Sequence, residues 1–459
     1  MILRAHPVSV LHVPMLSRLS HRRVFFVGLV LSLARTCPVS ATELTNYATK
    51  FKRVLESHVL PYWYDTAQDT HHGGYLLADD GRGNGLASEK HLVSQMRMVW
   101  TFSHVWLKGY RDTNRDYLAA AAQGFRFLQR HFRDPVYGGY FWKTDLTGNV
   151  TDDRKILYGQ AFAIYAMVEY HRASGELEPL RAALELYRLI QRHAHDPDNG
   201  GWLEHFERNW QPILDPNAQV EVEIAGCKSA NTHLHLMEAL AELGAVTRDA
   251  DVIRSLAEAL RINQQYFYPA EPARSCAVRQ LDWRPGPGQS NAQLSYGHNV
   301  EFAWLMLRAE DVLGRALSWD HFDSYLSHAL KYGADTELGG LFYRGPGNGP
   351  ANVQDKVWWV QAEWLAALTE AVRRKLDPDY IAALEKTAEF VLTRQADRDG
   401  IWFDTVTRDG QPKDTRKAHN WKANYHDVRA LVKFVEAFLP GSGKAPKKSD
   451  SLRPLGSLR

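Results

Sequence analysis

Three histidines stand in otherwise apolar stretches of the chain: His235 in NTHLHLMEAL, His298 in YGHNVEFAWLML and His426 in NWKANYHDVRAL. Asn231 precedes His235 by four residues, Glu301 follows His298 by three and Trp304 follows Glu301 by three. Such spacings put both members of a pair on one face of a helix. The stretch WWVQAEWLAAL adds Trp359 and Glu363, LYGQAFAIYA adds Tyr158 and Gln160, SQMRMVW adds Gln95 and Arg97, and Trp421 precedes His426. A lone histidine on an apolar helix is more often a core residue with satisfied hydrogen bonds. Recurrence carries the argument instead. Buried ionisable groups are costly without partners, and six such stretches argue for one shared pocket.

The residue types limit what that pocket can do. His235, His298, Glu301 and His426 could ligate zinc, but no HExxH or CxxC spacing is present. No GxSxG or Cys–His pattern supports a covalent nucleophile. A glycosidase needs two opposed carboxyl groups, for which Glu301 and Glu363 are available, but that leaves three histidines without a task. Imidazoles titrate near neutrality and suit proton transfer to and from carbon. The C–H beside a sugar aldehyde can be removed if the enediolate oxygen is stabilised, and Arg97 with a neighbouring imidazolium would do this. Two bases on opposite faces of C2 give epimerisation. One base working between C1 and C2 gives aldose–ketose isomerisation.

The elements that must position these residues are helices. Apolar periodicity predicts twelve, near 43–58, 87–107, 115–132, 157–173, 178–194, 227–244, 249–266, 295–314, 319–332, 355–373, 379–395 and 420–438. No βαβ alternation appears. A repeat punctuates the helices: His72-Gly73-Gly74-Tyr75, Tyr137-Gly138-Gly139-Tyr140, Asn199-Gly200-Gly201-Trp202, Leu338-Gly339-Gly340-Leu341 and Asp399-Gly400-Ile401-Trp402, with a degenerate copy from Val278 to Trp283. Each lies between an odd-numbered and an even-numbered helix. Gly-Gly supplies a turn of positive φ, and the aromatic run after it suits a short hairpin strand. Six such units closing on themselves predict an all-α (α/α)6 barrel of twelve helices with short β-hairpins in its loops. An open α-solenoid is the competing architecture. The even helices hold the unusual polar residues and are expected to form the inner ring.

Composition excludes other classes. The 459 residues carry 55 basic and 53 acidic side chains, so no field implies nucleic acid or a membrane surface as partner. The chain is rich in Trp, at 14, and aromatic faces stack on the C–H faces of sugars, although most aromatics are expected in the core. His21-Arg22-Arg23, the apolar run Val24 to Ala34 and the small-x-small pattern Val39-Ser40-Ala41 predict an export signal over 1–41. The run is too short to span a bilayer. A periplasmic or secreted protein follows, or a cytoplasmic one if the start is misassigned. The barrel domain is expected over 42–440 and a disordered, apolar-poor tail over 441–459. Cys227 and Cys276 do not make a disulfide scaffold. A monomer or weak homodimer is expected.

From about Tyr47 to Leu439 the chain resembles the N-acylglucosamine 2-epimerase superfamily, and within it the cellobiose 2-epimerases, most specifically in YGHNVEFAWLM, WWVQAE, NTHLHLMEAL and NWKANYHD. The resemblance implies an (α/α)6 barrel, a small-molecule sugar substrate, and chemistry without a metal or organic cofactor. It implies that His298 and His426 exchange the C2 proton and that Glu301 orients His298. His235 and Asn231 would assist ring opening and hold O1 and O2, and Arg97 would stabilise the enediolate. Trp304, Trp359 and Trp421 would stack on sugar, Glu363 would bind a hydroxyl, and Tyr158 would join the binding set. The His-Asn-x-Glu form at 298–301 is closer to the cellobiose branch. Monosaccharide 2-epimerisation, on mannose or an N-acylglucosamine, and aldose–ketose isomerisation are the alternatives.

Overall fold

The computed structural model of the protein describes residues 41–439 and 441, apart from 83, 289, 290 and 376. The expected signal over 1–41 and tail over 441–459 therefore fall almost wholly outside the described residues. Among the described residues there are twelve helices. They are α1 (41–67), α2 (Leu92–Leu107), α3 (117–132), α4 (Leu157–Ser174), α5 (Leu177–His193), α6 (Ala230–Thr247), α7 (250–267), α8 (Tyr296–Val312), α9 (Trp319–Tyr332), α10 (Trp358–Arg374), α11 (378–395) and α12 (Tyr425–Phe438). Four outer helices contain a π turn, at Leu55–Val59, Leu128–Phe132, Asn263–Phe267 and Val391–Gln395. In α1 the helix continues past this wide turn through Pro61 to Ala67.

The even helices pack side by side, α2 on α4, α4 on α6 and onward until α12 meets α2, so the ring is closed. Each odd helix packs outside its even neighbours. The open solenoid is excluded and the even ring is the inner one. Burial explains the division. Every residue of α4 from Leu157 to Tyr170 is buried, because an inner helix is covered on all sides. On the outer α5 the buried residues Pro179, Leu180, Ala183, Leu186, Tyr187 and Ile190 recur on one stripe, the mark of a helix with one wet face.

The strands differ in detail from the sequence expectation. Inner helices are preceded by two- or three-residue strands: Glu89–His91, Lys155–Ile156, Cys227–Ser229, Leu294–Ser295 and Lys356–Val357. Each pairs antiparallel with a strand of the following repeat, as Lys90 does with Thr144 and Lys228 with Arg279. Local hairpins add to this at Lys143–Asp145 with Val150–Asp152 and at Thr405–Val406 with Pro412–Asp414. A bridge between Asp79 and Ala418 joins the last loop to the first. The residue after each Gly-Gly instead makes a single bridge to the end of the preceding outer helix, as Tyr75 does with Gln68 and Leu341 with Ala334. Helices α2, α6 and α10 begin three to five residues later than periodicity predicted, since a short buried strand, Glu89–His91, Cys227–Ser229 or Lys356–Val357, takes up the residues before each.

Buried polar clamps hold the repeated turns. Lys90 Nζ donates to Asp69 Oδ2 at 2.8 Å and to the Gly73 carbonyl at 2.6 Å. Lys155 with Asp134, Lys228 with Asp196 and Lys356 with Asp335 repeat the pair at 2.8, 2.7 and 3.0 Å. Gln95 bonds both the N–H and the carbonyl of Tyr75, Gln160 does the same for Tyr140 and Gln361 for Leu341. Gln95 and Gln160 are thus scaffold residues, which corrects their expected place in the pocket. Cys227 and Cys276 are both free thiols.

Candidate active site

Apart from Trp304 and Trp421, the expected site residues fall in the first two turns of the inner helices. Tyr158, Asn231, Trp359 and His426 are the second residues of α4, α6, α10 and α12. His298 is the third residue of α8, and Arg97, His235, Glu301 and Glu363 each lie sixth in their helices. One end of the ring therefore gathers them, and six helix N-termini point their positive ends into it.

The three histidines do come together. His298 packs on the Trp359 indole with ring centroids 4.7 Å apart, and His426 lies 6.0 Å from the same indole. His235 lies 5.3 Å from the Tyr158 ring and 4.8 Å from Phe162. Arg97 donates to Tyr158 Oη at 3.1 Å and to the Trp421 carbonyl at 2.9 Å, with its guanidinium 4.6 Å from the Phe162 ring. Trp421 sits at the rim, more than a third exposed, 6.2 Å from the rings of His91 and Trp142. It lies in a turn before α12, whose observed start at Tyr425 corrects the predicted start at 420. The Oδ1 of Asn231 is buried and finds no protein partner among the described residues, leaving it available to a ligand.

Beneath the imidazoles lies a charged network centred on a residue that sequence reading missed, Arg429. Its Nη2 donates to Glu363 Oε1 at 2.7 Å and to Glu301 Oε1 at 3.2 Å. Its Nη1 donates to Glu238 Oε1 at 2.6 Å and contacts the Tyr425 hydroxyl. Glu363 Oε1 also meets His426 Nδ1 at 2.7 Å, and Glu238 Oε2 meets His235 Nδ1 at 2.9 Å. Burial pushes the Glu363 carboxyl up, but Arg429 and His426 outweigh it and hold it at about 2. Glu238 is likewise held low, by Arg429 and His235 against burial. Glu301 is pushed well up by burial and by Glu363 beside it, both of which favour its protonated form. Two ionised carboxylates thus balance two guanidiniums, Arg429 and Arg97.

Burial lowers the pKa of all three histidines, to about 3 for His426 and for His298. Neighbouring His235, Arg344 and His426 add to the effect at His298. The imidazoles are neutral bases at neutral pH. Ionised Glu363 and Glu238 can only accept, so Nδ1 of His426 and of His235 carries the proton and Nε2 the lone pair.

Three expected roles change. Glu301 faces Arg429 rather than His298, and its buried Oε2 finds no partner among the described residues. Trp304 is ninth in α8, roughly two turns below the helix start, too deep to line the sugar pocket. Its Nε1–H donates to Glu363 Oε2 at 3.0 Å and its ring lies 4.8 Å from the Arg429 guanidinium. Glu363 is occupied by three protein donors, so it holds residues rather than a sugar hydroxyl. Glu301, Glu363 and His426 could present three ligand atoms within 4.8 Å of one another. Arg429 already fills that corner, and its charge opposes a cation there. The same burial argues against Glu301 and Glu363 as a glycosidase pair, since both are fully buried on one guanidinium instead of flanking a cleft. Glu238 and Arg429 were detectable, each three residues after a histidine of the site. Glu223 was not. It lies in the α5–α6 loop with φ +62 after Val222 at +66, and burial with Glu204 raises its carboxyl to about 7.

Fold and site together define a closed helical barrel with three histidines gathered in a pocket under its loop end. The sequence pattern of the N-acylglucosamine 2-epimerase (GlcNAc 2-epimerase) family matches residues 73–430, and the chain belongs to that family. It is 28% identical over 393 residues to a cellobiose 2-epimerase of Bacteroides fragilis, covering 84% of this chain and 98% of the relative. A D-mannose isomerase of Marinomonas mediterranea is 25% identical over 402 residues, covering 84% and 97%. The solved cellobiose 2-epimerase of Spirochaeta thermophila superposes with a TM-score of 0.77 at 30% identity, covering 88% of this chain and 98% of that one. No described helix is long and apolar enough to cross a membrane.

Proposed function

We propose that this protein is a sugar 2-epimerase that interconverts glucose and mannose at the reducing end of β-1,4-linked disaccharides such as cellobiose. The observation that carries the reading is the pair of neutral imidazoles, His298 and His426, gathered on Trp359 beside Arg97. The two cellobiose 2-epimerase relatives named above support the disaccharide. The sugar reacts as its open-chain aldehyde, whose carbonyl acidifies the C2–H. One imidazole takes that proton, and the C–H electrons become the enediolate with its charge on O1. Arg97 and the helix N-termini stabilise this anion. In the reactive form the other imidazole has taken up a proton from solvent, and it returns that proton to C2 from the opposite face. The proton has then moved from one imidazole to the other, and the reverse reaction starts from that form. Glu363 makes His426 the better place for the positive charge, because its carboxylate holds Nδ1–H.

Incubation with cellobiose in D2O tests the proposal. The expected result is the mannose-ended epimer with deuterium at C2, and absence of both would remove it. The D-mannose isomerase relative motivates a second reading, action on a free monosaccharide, which a ketose product or turnover of mannose alone would select. Export with residues 1–41 removed and a monomeric or weakly dimeric barrel over 42–440 complete the proposal. N-terminal sequencing of the mature protein and sedimentation test them.

A further inference from the structure

Arg429 is buried, touches three carboxyl groups, and does not touch the sugar pocket's stacking surface. Two of those carboxylates each grip one imidazole at Nδ1: Glu363 holds His426 on α12, and Glu238 holds His235 on α6. We propose that Arg429 is a positioning residue that fixes the tautomers of His426 and His235 together, so that both Nε2 lone pairs stay free on the side away from the network. Its activity arm rests on the 2-epimerase reading; its geometry does not. The guanidinium fork is what the task requires. Nη1 serves Glu238 and Nη2 serves Glu363 and Glu301, a span that a single ammonium cannot cover. Without the cation, buried Glu363 and Glu238 would take up protons. A protonated carboxyl can donate, which lets Nδ1 become the acceptor and moves the imidazole proton to Nε2. The base of the proposed reaction would then be capped.

Arg429 and Trp304 also line a cavity of ≈ 600 Å³ among the C-terminal halves of the inner helices, with His104, Glu242, Arg308 and Glu370 around it. A small cation can therefore reach the place that a truncated Arg429 would vacate. This makes chemical rescue the informative experiment. Arg429→Ala is expected to lower kcat on cellobiose by about 100-fold or more with KM within about threefold. Guanidinium at millimolar concentration should restore part of kcat, and urea, of the same shape but neutral, should not. Arg429→Lys should keep the fold and remain strongly impaired. Imidazole 15N NMR of the wild-type protein should show His235 and His426 as Nδ1–H tautomers, and of Arg429→Lys a gain of Nε2–H. An Nε2–H tautomer at either histidine in the wild type overturns the proposal, as does near-normal kcat in folded Arg429→Ala or Arg429→Lys, or equal rescue by urea. If Arg429→Ala does not fold, the NMR measurement and the Lys variant decide. An inactive wild type would remove the 2-epimerase reading while the NMR arm still judged the tautomers.

Discussion

Glu363→Gln changes one atom at the centre of the charged network and can be followed quantitatively. Glu363 accepts from His426 and Arg429 on Oε1 and from the Trp304 Nε1–H on Oε2. An amide cannot satisfy all three donors. If its oxygen faces His426 and Arg429, its NH2 meets the Trp304 N–H. If the oxygen faces Trp304, the NH2 faces His426 Nδ1 and forces the proton to Nε2, which disables the base. Losing charge-assisted bonds costs about 1.5–3 kcal/mol each. Glu301 offsets part of this, because it can ionise against Arg429 once the Glu363 charge is gone, so a net loss of about 2 kcal/mol is expected. Catalysis should suffer more. A carboxylate roughly 4 Å from an imidazolium is worth about 4 kcal/mol at an effective dielectric of 20, which predicts a fall in kcat of about 100- to 1,000-fold. The assay is C2–H exchange in D2O followed by proton NMR, with urea unfolding on the same samples. The pH dependence has a definite sign. The Glu363 carboxyl is held at about 2, below the ordinary 4.5, so its contribution to stability is present above pH 4.5 and lost as pH falls toward 2. The stability gap between wild type and variant should narrow over that window. A folded Glu363→Gln enzyme with kcat within about fivefold of wild type would refute the reasoning.

His298→Asn and His426→Asn should each lower C2 exchange by about 100-fold or more, with little change in melting temperature, since both sit at the pocket. Unfolding of either would make the histidine structural. Trp421→Ala should barely alter the melt, because the residue is rim-exposed, while KM for cellobiose rises more than KM for mannose. Equal effects on both sugars would remove Trp421 from recognition of the second ring. Gly340→Ala should destabilise by about 2 kcal/mol or more in thermal melts, because φ is +82 and the new Cβ would lie 2.5 Å from Gln361 Oε1. Lys155→Met leaves Asp134 in a buried site with Arg208 as its remaining cation, and about 3 kcal/mol should be lost in urea unfolding. A neutral result would mean that the repeated Asp–Lys clamp carries little of the fold's stability.

Much of this barrel is written locally in the chain. Periodicity of 3.6 and the recurring Gly-Gly turn depend only on neighbouring residues, so twelve helices and six units could be read directly, and every Gly-Gly pair does adopt positive φ. The even–odd division was also legible, because an inner helix must be apolar all round and its few polar residues stand out. The resemblance then pointed to His298, His426, His235 and Arg97, which the fold does gather. What tertiary structure decided is which polar residue faces which. Gln95 and Arg97 are two apart in one helix, yet one clamps the Tyr75 backbone and the other reaches Tyr158. Glu301 is one turn from His298 but faces Arg429 across the ring. Trp304 shares their helix and lies beneath the pocket. The partners that fix protonation, Glu238 with His235 and Glu363 with His426, meet on a guanidinium 66 residues from Glu363 and 191 from Glu238. Sequence spacing reports the face of a helix; only closure of the ring sets distances between helices, and the charge state of a buried group depends on those distances.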